Sequence, residues 1–349
     1  MVQQAIKDLL FQGTVIPAHP LALKEDKQLD EQRQRALTNY YIDAGAGGIA
    51  VGVHTTQFEI RDPQFNLFEK VLKLAADEVD KRDSNRPFIK IAGICGATEQ
   101  AIGEAQIATN LGYDFGLLSF GGLNHLSEEE LLEHSKQVAE VIPIFGFYLQ
   151  PAVGGRTLSF EFWKEFAEIP NVHAIKMAPF DRYKTLDVVR AVCHSSRSDE
   201  IALYTGNDDN IVIDLLTAYE VEANGEKIKK EIVGGLLGHW AVWTEKAVEQ
   251  FNQIKQSLRE NGDVAKFFPL SNQVTDANAA FFDAANGFKG CIAGINEVLA
   301  RQGLLQGNWC LLDKEKLSPG QSEAIDRIYQ EYPHLHDDEF VKENLDKWL

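Results

Sequence analysis

The segment 142–178 reads IPIFGFYLQPAVGGRTLSFEFWKEFAEIPNVHAIKMA and sets two short apolar runs on either side of an amphipathic stretch. The runs Ile142–Tyr148 and Val172–Lys176 have the length and apolar content of buried β-strands. Ser159–Ile169 has the spacing of a helix that buries one face. A strand, a helix and a second strand in this order predict a parallel βαβ unit.

The same alternation continues in both directions along the chain. The eight predicted strands are Thr14–Pro17, Gly48–Val53, Phe88–Gly93, Gly116–Ser119, Ile142–Tyr148, Val172–Lys176, Ile201–Thr205 and Ile232–Gly235. The helices predicted between them are Asp30–Ala44, Phe65–Lys81, Thr98–Leu111, Glu128–Val141, Ser159–Ile169, Thr185–Cys193 and Ile211–Tyr219. Eight such units favour a (β/α)8 TIM barrel of the α/β class, and the lack of a GxGxxG motif after the first strand argues against a dinucleotide-binding fold.

After Gly235 the pattern becomes helical. Trp240–Leu258 is predicted to be the eighth barrel helix. Three more helices are predicted at Asn272–Asn286, Lys289–Gln302 and Pro319–Tyr329. We therefore expect a barrel over residues 1–260 and a C-terminal helical region over residues 261–349.

The composition argues against nucleic-acid and membrane partners. The 349 residues carry a formal net charge of −18, and no apolar run reaches membrane-spanning length. The densest basic cluster, Lys227 with Lys229 and Lys230, is interpreted as a solvated loop. The four cysteines form no CxxC pair, so neither a zinc site nor a disulfide framework is expected. The first residues lack the order of a signal peptide, and a cytoplasmic location is expected.

Lys176 closes an apolar strand, where lysine is uncommon. Alternation places it on one face with Val172 and Ala174, and the small Ala174 leaves space beneath the ammonium group. Burial disfavours the charged form and lowers the pKa of a lysine, which yields the neutral amine that attacks a carbonyl. The alternative is a lysine that emerges into solvent at the end of the strand.

Two further groups of polar side chains close predicted strands. Tyr148 shares a face with Ile144 and Gly146 and is expected to meet Lys176 at the barrel mouth, where a phenol can transfer protons. A core tyrosine with a satisfied hydroxyl is the alternative. Thr55 and Thr56 follow the second strand and offer hydroxyls and loop amides to a carboxylate.

These residues resemble the dihydrodipicolinate synthase and N-acetylneuraminate lyase family of class I aldolases and lyases. The resemblance runs from Phe11 to Tyr332. Tyr148-Leu149-Gln150-Pro151 is similar to the family's tyrosine-x-x-proline motif, and Lys176 follows Tyr148 by 28 residues, as the family's Schiff-base lysine does. The family's Gly-Thr-Thr-Gly-Glu loop corresponds to His54-Thr55-Thr56-Gln57-Phe58. Its Ser-Gly-Asp-Asp or Gly-x-Asp-Glu segment corresponds to Thr205-Gly206-Asn207-Asp208-Asp209.

The resemblance implies that Lys176 forms an imine with pyruvate or another 2-oxo acid, with Tyr148 relaying protons and no metal or cofactor required. Thr55 and Thr56 would hold the substrate carboxylate. Asp208 and Asp209 would face the variable part of the substrate, which includes an aldehyde in some reactions of the family. Capping of the following helix is the alternative for these two aspartates. The family also implies a homotetramer or homodimer.

Several departures narrow the substrate. His54 replaces a glycine and is open to three interpretations: a pocket wall, a general acid or base, or a packed side chain. No tyrosine follows the fourth strand, and Val153 stands where the synthase has an arginine, which leaves Arg156 as the nearest candidate for a distal carboxylate. These differences argue against a true dihydrodipicolinate synthase.

Three alternative functions stay open. The first is dehydration of a 2-keto-3-deoxy sugar acid by the same imine chemistry. The second is a ligand-binding barrel that has lost turnover. The third is a metal-dependent barrel enzyme that uses His19, His54 and His239 as ligands.

Overall fold

The computed structural model describes residues 2–82 and 86–349. Over these residues, eight parallel strands with intervening helices form a TIM barrel followed by C-terminal helices, as predicted. The strands are β1 (Val15–Pro17), β2 (Gly48–Val51), β3 (Ile89–Ile94), β4 (Phe115–Ser119), β5 (Ile144–Leu149), β6 (Val172–Ala178), β7 (Ala202–Thr205), β8 (Ala218–Ala223) and β9 (Glu226–Leu237). The barrel order is β1-β9-β7-β6-β5-β4-β3-β2, and β8 pairs with β9 outside it.

The helices match the predicted ones at most positions. They are α1 (Gln4–Gln12), α2 (Glu31–Asp43), α3 (Phe68–Lys81), α4 (Thr98–Asn110), α5 (Glu128–Ala139), α6 (Phe160–Ala167), α7 (Arg182–His194), α8 (Ile211–Leu216), α9 (Thr244–Arg259), α10 (Phe268–Phe281), α11 (Cys291–Arg301), α12 (Gln321–Glu331) and α13 (Asp338–Trp348). Within the described ranges, none of these helices is long and apolar enough to cross a membrane.

The chain divides into two compact units. One comprises the residues up to Thr14 together with Ile89–Leu236, and the other comprises Val15–Phe88 together with Leu237–Leu349. The predicted boundary between residues 260 and 261 stays a prediction.

The first unit holds the lysine strand. Lys176 on β6 is in register with Phe147 on β5 and with Tyr204 on β7. Residues in register on parallel strands lie on the same face of the sheet. On that face, the rings of Phe145 and Tyr204 pack edge to face with centroids 5.2 Å apart. Lys176 therefore shares its face of the sheet with a cluster of aromatic rings.

The second unit includes α13, a helix that the sequence patterns did not predict. Trp348 on α13 packs against Tyr40 of α2 with ring centroids 5.5 Å apart, and its Nε1 donates to Asp43 Oδ2 at 2.8 Å. Just before α13, the buried Asp337 accepts a hydrogen bond from Tyr40 Oη at 2.8 Å. These contacts hold α13 against the barrel helix α2.

The segment after β7 corrects two predictions. The predicted helix Ile211–Tyr219 ends at Leu216, and the supposed loop that contains Lys227 belongs to an antiparallel hairpin of β8 and β9. The turn is Asn224-Gly225, with both residues at positive φ, as hairpin turns of this kind require. Exposed side chains pair across and along the hairpin, with Lys227 Nζ 2.5 Å from Glu220 Oε2. Strand alternation of charged and apolar residues outweighs the charge density that suggested a loop.

Candidate active site

Lys176 lies near the carboxyl end of β6 and is buried, with 7% of its surface exposed. Its Nζ sits 4.3 Å from the centroid of the Phe147 ring. A Cβ at Gly206 would come within 2.4 Å of Lys176 Cε. A Cβ at position 206 would therefore force the lysine chain to shift, and the alternative of a lysine in open solvent does not hold.

Burial lowers the pKa of Lys176 to about 8, and the negative charge of Asp208 acts in the opposite direction. A lysine in water has its pKa near 10.5. At pH 7, roughly a tenth of Lys176 is therefore the free amine, which is the nucleophilic form and is nearly absent from a lysine in water.

Asp208 lies in the loop after β7 and is 5% exposed. The loop begins directly against Lys176, because the Gly206 amide donates to Met177 O at 2.7 Å and Gly206 touches the lysine chain. Asp209, in contrast, is exposed. The N-cap residue of α8 is Asn210, and whether the two aspartates before it face a substrate or stabilise the start of the helix stays a prediction.

Hydrogen bonds of Asn207 fix the loop that carries Asp208. Its Oδ1 accepts from Phe180 N at 3.1 Å, and its Nδ2 donates to Thr185 Oγ1 at 3.3 Å and to Asp214 Oδ2 at 3.0 Å. Phe180 has a φ of +50°, a strained value that this bond helps to hold. The loop therefore presents Asp208 from a fixed backbone.

The buried carboxylate of Asp214 on α8 is the centre of this network. It accepts hydrogen bonds from Thr205 Oγ1 at 2.7 Å and from Asn210 Nδ2 at 2.9 Å. Arg182 at the start of α7 forms an ion pair with it. Buried carboxylates are stable when they are paired in this way.

The structure corrects the predicted pairing of Tyr148 with Lys176. Tyr148 is in register with Met177, one position beyond the partner of Lys176, so its side chain lies on the opposite face of the sheet. There its ring packs against Trp163 of α6 with centroids 5.1 Å apart. Its hydroxyl donates to Leu158 O at 3.4 Å and accepts from Leu158 N at 3.3 Å. A proton relay through Tyr148 therefore loses its geometric basis.

Gly146 lies on the same outer face as Tyr148. A Cβ there would come within 2.6 Å of Phe166 on α6, so this glycine leaves room for a helix and not for a substrate. Sequence alternation correctly groups Ile144, Gly146 and Tyr148. The alternation pattern does not show which face points into the barrel, because both faces of a buried parallel strand are apolar. The prediction that this group faces Lys176 is therefore wrong.

Arg156 holds the loop after β4. Its Nη1 donates to Leu126 O at 2.8 Å and to Leu123 O at 3.2 Å. It also lines a narrow cleft with Phe147 and Phe120. Its predicted contact with a distal carboxylate stays a prediction.

The threonine pair belongs to the second unit, in a short 3-10 turn after β2. The Thr56 hydroxyl donates to His19 O at 2.6 Å and accepts from Gly52 N at 3.0 Å and Val53 N at 3.2 Å. The hydrogen bonds of the Thr56 hydroxyl therefore stabilise the conformation of the turn. The Thr55 hydroxyl oxygen lies 3.5 Å from the place that a Cβ on Gly238 would occupy.

In this turn, His54 and Gln57 stand where the family's Gly-Thr-Thr-Gly-Glu loop has glycines. His54 is half-buried, with its ring 5.9 Å from that of Phe58. Gln57 keeps the positive φ that glycine favours, at +69°, and its Oε1 accepts from Leu311 N at 2.7 Å. The side chain of Gln57 thereby ties the turn to the segment after α11.

The other two histidines proposed as metal ligands are packed side chains. His19 is bonded through Nδ1 to Pro20 O at 2.8 Å and through Nε2 to Thr38 Oγ1 at 2.9 Å. His239 stacks on Phe281 with centroids 5.6 Å apart. Burial lowers the pKa of both His19 and His239 to about 4. Among residues 2–82 and 86–349, no three His, Cys, Asp or Glu side chains converge as a metal site would need.

The fold and the buried strand lysine are those of a TIM-barrel lyase of the class I type. The model of the Dihydrodipicolinate synthetase family matches residues 11–220. The chain belongs to this family, which includes lyases such as dihydrodipicolinate synthase and N-acetylneuraminate lyase.

Two curated relatives illustrate the range of the family. N-acetylneuraminate lyase 2 of Escherichia coli O6:H1 is 24% identical over 332 residues, which cover 92% of this chain and 96% of the lyase. The 4-hydroxy-tetrahydrodipicolinate synthase of Syntrophobacter fumaroxidans is 32% identical over 203 residues, which cover 57% of this chain and 64% of the synthase.

Solved structures agree in fold. Dihydrodipicolinate synthase from Oceanobacillus iheyensis superposes with a TM-score of 0.75 at 16% identity, covering 94% of this chain and 99% of the synthase. A prophage protein of the same family from Escherichia coli K12, in complex with pyruvate, gives 0.73 at 20% identity, covering 92% of this chain and 99% of that protein. At such identities the likeness shows the fold alone.

Proposed function

We propose that this protein is a class I lyase that forms an imine between Lys176 and a 2-oxo acid, with pyruvate as the first candidate. The observation that carries the proposal is the burial of Lys176 on β6, which lowers the pKa of its amine to about 8. Family membership supports it. The relatives include a lyase and a synthase, and the pyruvate bound to the prophage protein is a member of the proposed substrate class.

The imine would supply the driving force for carbon–carbon chemistry. Once protonated, its nitrogen accepts an electron pair from the bond between the carbons alpha and beta to the imine carbon. That bond breaks, an enamine forms, and a hydroxyl on the departing carbon loses its proton to become an aldehyde. The reverse sequence joins the enamine to an aldehyde. The aromatic rings of Phe145 and Tyr204, on the same face as Lys176, would help to shield this chemistry from water.

Carboxylate binding by the turn after β2 is a separate proposal. Within that turn, Thr55 is the better hydroxyl donor, because Thr56 already donates its proton to His19 O. We expect Thr55→Val to raise the pyruvate concentration needed for half-maximal adduct formation. Thr56→Val would instead loosen the turn and lower stability.

Covalent trapping tests the proposal. The protein is mixed with pyruvate and borohydride, and the adduct is measured by intact mass. We expect an adduct in the wild type and none in Lys176→Ala. The matched control is Lys90→Met, because Lys90 is also a buried lysine on a barrel strand, at 9% exposure. Equal labelling of Lys176→Ala and the wild type would refute imine formation at Lys176.

A panel of 2-oxo acids extends the test to the substrate. The 2-keto-3-deoxy sugar acids belong in it, since the same imine would serve their dehydration. Adducts without turnover across the whole panel would favour the ligand-binding alternative. A homodimer or homotetramer and a cytoplasmic location stay predictions, and sedimentation velocity would test the first.

A further inference from the structure

We propose that Asp208 transfers the protons of imine formation at Lys176, in place of the tyrosine that the family resemblance suggests. The inference rests on the proposed function and assigns a further catalytic residue to it. Imine formation moves protons between nitrogen and oxygen at several points, so a group beside the amine must accept and return them.

The β5 residue in register with Lys176 is not such a group. Phe147 occupies the position in register with the lysine, and its ring carries no exchangeable proton. Tyr148 lies on the other face, where both the proton and the oxygen of its hydroxyl are bonded to Leu158.

The hydroxyl groups of β7 already donate hydrogen bonds to other residues. Tyr204 is in register with Lys176, but its hydroxyl donates to Leu10 O at 2.9 Å. Thr205 donates its proton to Asp214. Neither is placed to exchange a proton with a substrate oxygen.

Asp208 is an ionisable carboxyl group, and its setting suits the task. It is 5% exposed, and its negative charge acts on the buried Lys176 amine. It stands two residues beyond Gly206, which touches the lysine chain. The hydrogen bonds of Asn207 hold the intervening backbone, so Asp208 keeps its place through the reaction.

The protons balance without any other reactant. Asp208 takes one proton from the ammonium of Lys176, and the free amine attacks the carbonyl carbon. Asp208 gives its proton to the resulting oxyanion, takes a second proton from the nitrogen, and gives that one to the departing hydroxyl. The products are a protonated imine, one water molecule and the ionised Asp208.

The test is the rate at which pyruvate becomes trappable, measured by rapid mixing and borohydride quenching. We expect Asp208→Asn to slow this rate by about 100-fold or more, while the final extent of labelling is retained. We expect Asp208→Glu to recover part of the rate. Glu226→Gln, an exposed carboxylate on the hairpin, is the control for the change in net charge.

The sign of the effect separates proton transfer from a purely electrostatic role. Loss of the Asp208 charge lowers the pKa of Lys176 further, since that charge raises it. More free amine would then speed the reaction near pH 7. Two outcomes would overturn the inference and leave the proposed function intact. One is an Asp208→Asn variant that forms the adduct as fast as the wild type or faster. The other is a large fall in the rate of adduct formation in Tyr148→Phe but not in Asp208→Asn. A wild type that forms no adduct would overturn both.

Discussion

At the scale of single residues, burial of the Lys176 amine lowers the stability of the fold and raises the fraction of free amine. Holding its pKa at about 8 rather than 10.5 costs folding about 3 kcal/mol at neutral pH. The cost is complete below pH 8 and fades as the pH rises towards 10.5, where the unfolded chain also loses the proton. In return, the amine is nucleophilic under conditions in which a solvated lysine is fully protonated.

The pH dependence of adduct formation follows from this pKa. With saturating pyruvate, we expect the rate to rise with pH and to level off near pH 8, because the free amine is the reacting form. Trapping rates between pH 6 and pH 10 measure the inflection. A rate that still climbs past pH 10 would mean that Lys176 has the pKa of an ordinary surface lysine.

Gly206 provides a test of the packing around the Lys176 side chain. We expect Gly206→Ala to slow adduct formation roughly 100-fold, since the new Cβ would stand 2.4 Å from Lys176 Cε and displace the amine. The matched control is Gly103→Ala on α4, where no atom lies within 4 Å of the added carbon. There we expect unchanged trapping and a gain of about 0.5–1 kcal/mol in the free energy of unfolding. Equal trapping rates in the two variants would contradict this packing.

At the scale of elements, the short helix α8 and the loop before it position the site. The carboxylate of Asp214 gathers Thr205, Asn207 and Asn210 into one network beside β6. The sequence indicated this loop through its resemblance to the Gly-x-Asp-Glu segment. It gave no sign of Asp214, because an acidic residue inside a short amphipathic helix is usually exposed.

The last helix, α13, stabilises the barrel helix α2. We expect Trp348→Ala to lower the free energy of unfolding by about 3–5 kcal/mol, because the change removes ring contacts with Tyr40 and Phe340 and a hydrogen bond to Asp43. Urea denaturation measures it, with the exposed Lys347→Ala as control. A loss below about 1 kcal/mol would mean that α13 is only loosely attached.

At the scale of the whole molecule, the barrel was predictable and its details were not. Eight apolar runs separated by helical patterns specify the barrel strands, and all eight are present in the described residues. The sequence does not show which face of a strand points into the barrel, so it predicts Tyr148 beside Lys176 and gives no indication of Phe147. Asn224-Gly225 is typical of a hairpin turn, but the charge density of the residues after it favours a solvated loop.

The match of the family model ends within the chain, although the similarity to N-acetylneuraminate lyase 2 covers 92% of it. The family model matches up to residue 220, inside β8, and the remainder includes β9, the C-terminal helices and the contacts of α13. The residues that carry the proposed chemistry, Lys176 and Asp208, lie inside the matched part. We therefore expect the lysine chemistry of the family with a substrate specificity of this chain's own.

The most direct test of the central claim is to identify the lysine that pyruvate labels in the wild-type protein. The borohydride-reduced adduct is digested, and the modified peptide is sequenced by mass spectrometry. The account predicts one modified residue, Lys176, within the β6 segment Val172–Ala178. Labelling at another lysine, or no labelling with pyruvate or any other 2-oxo acid of the panel, would contradict it.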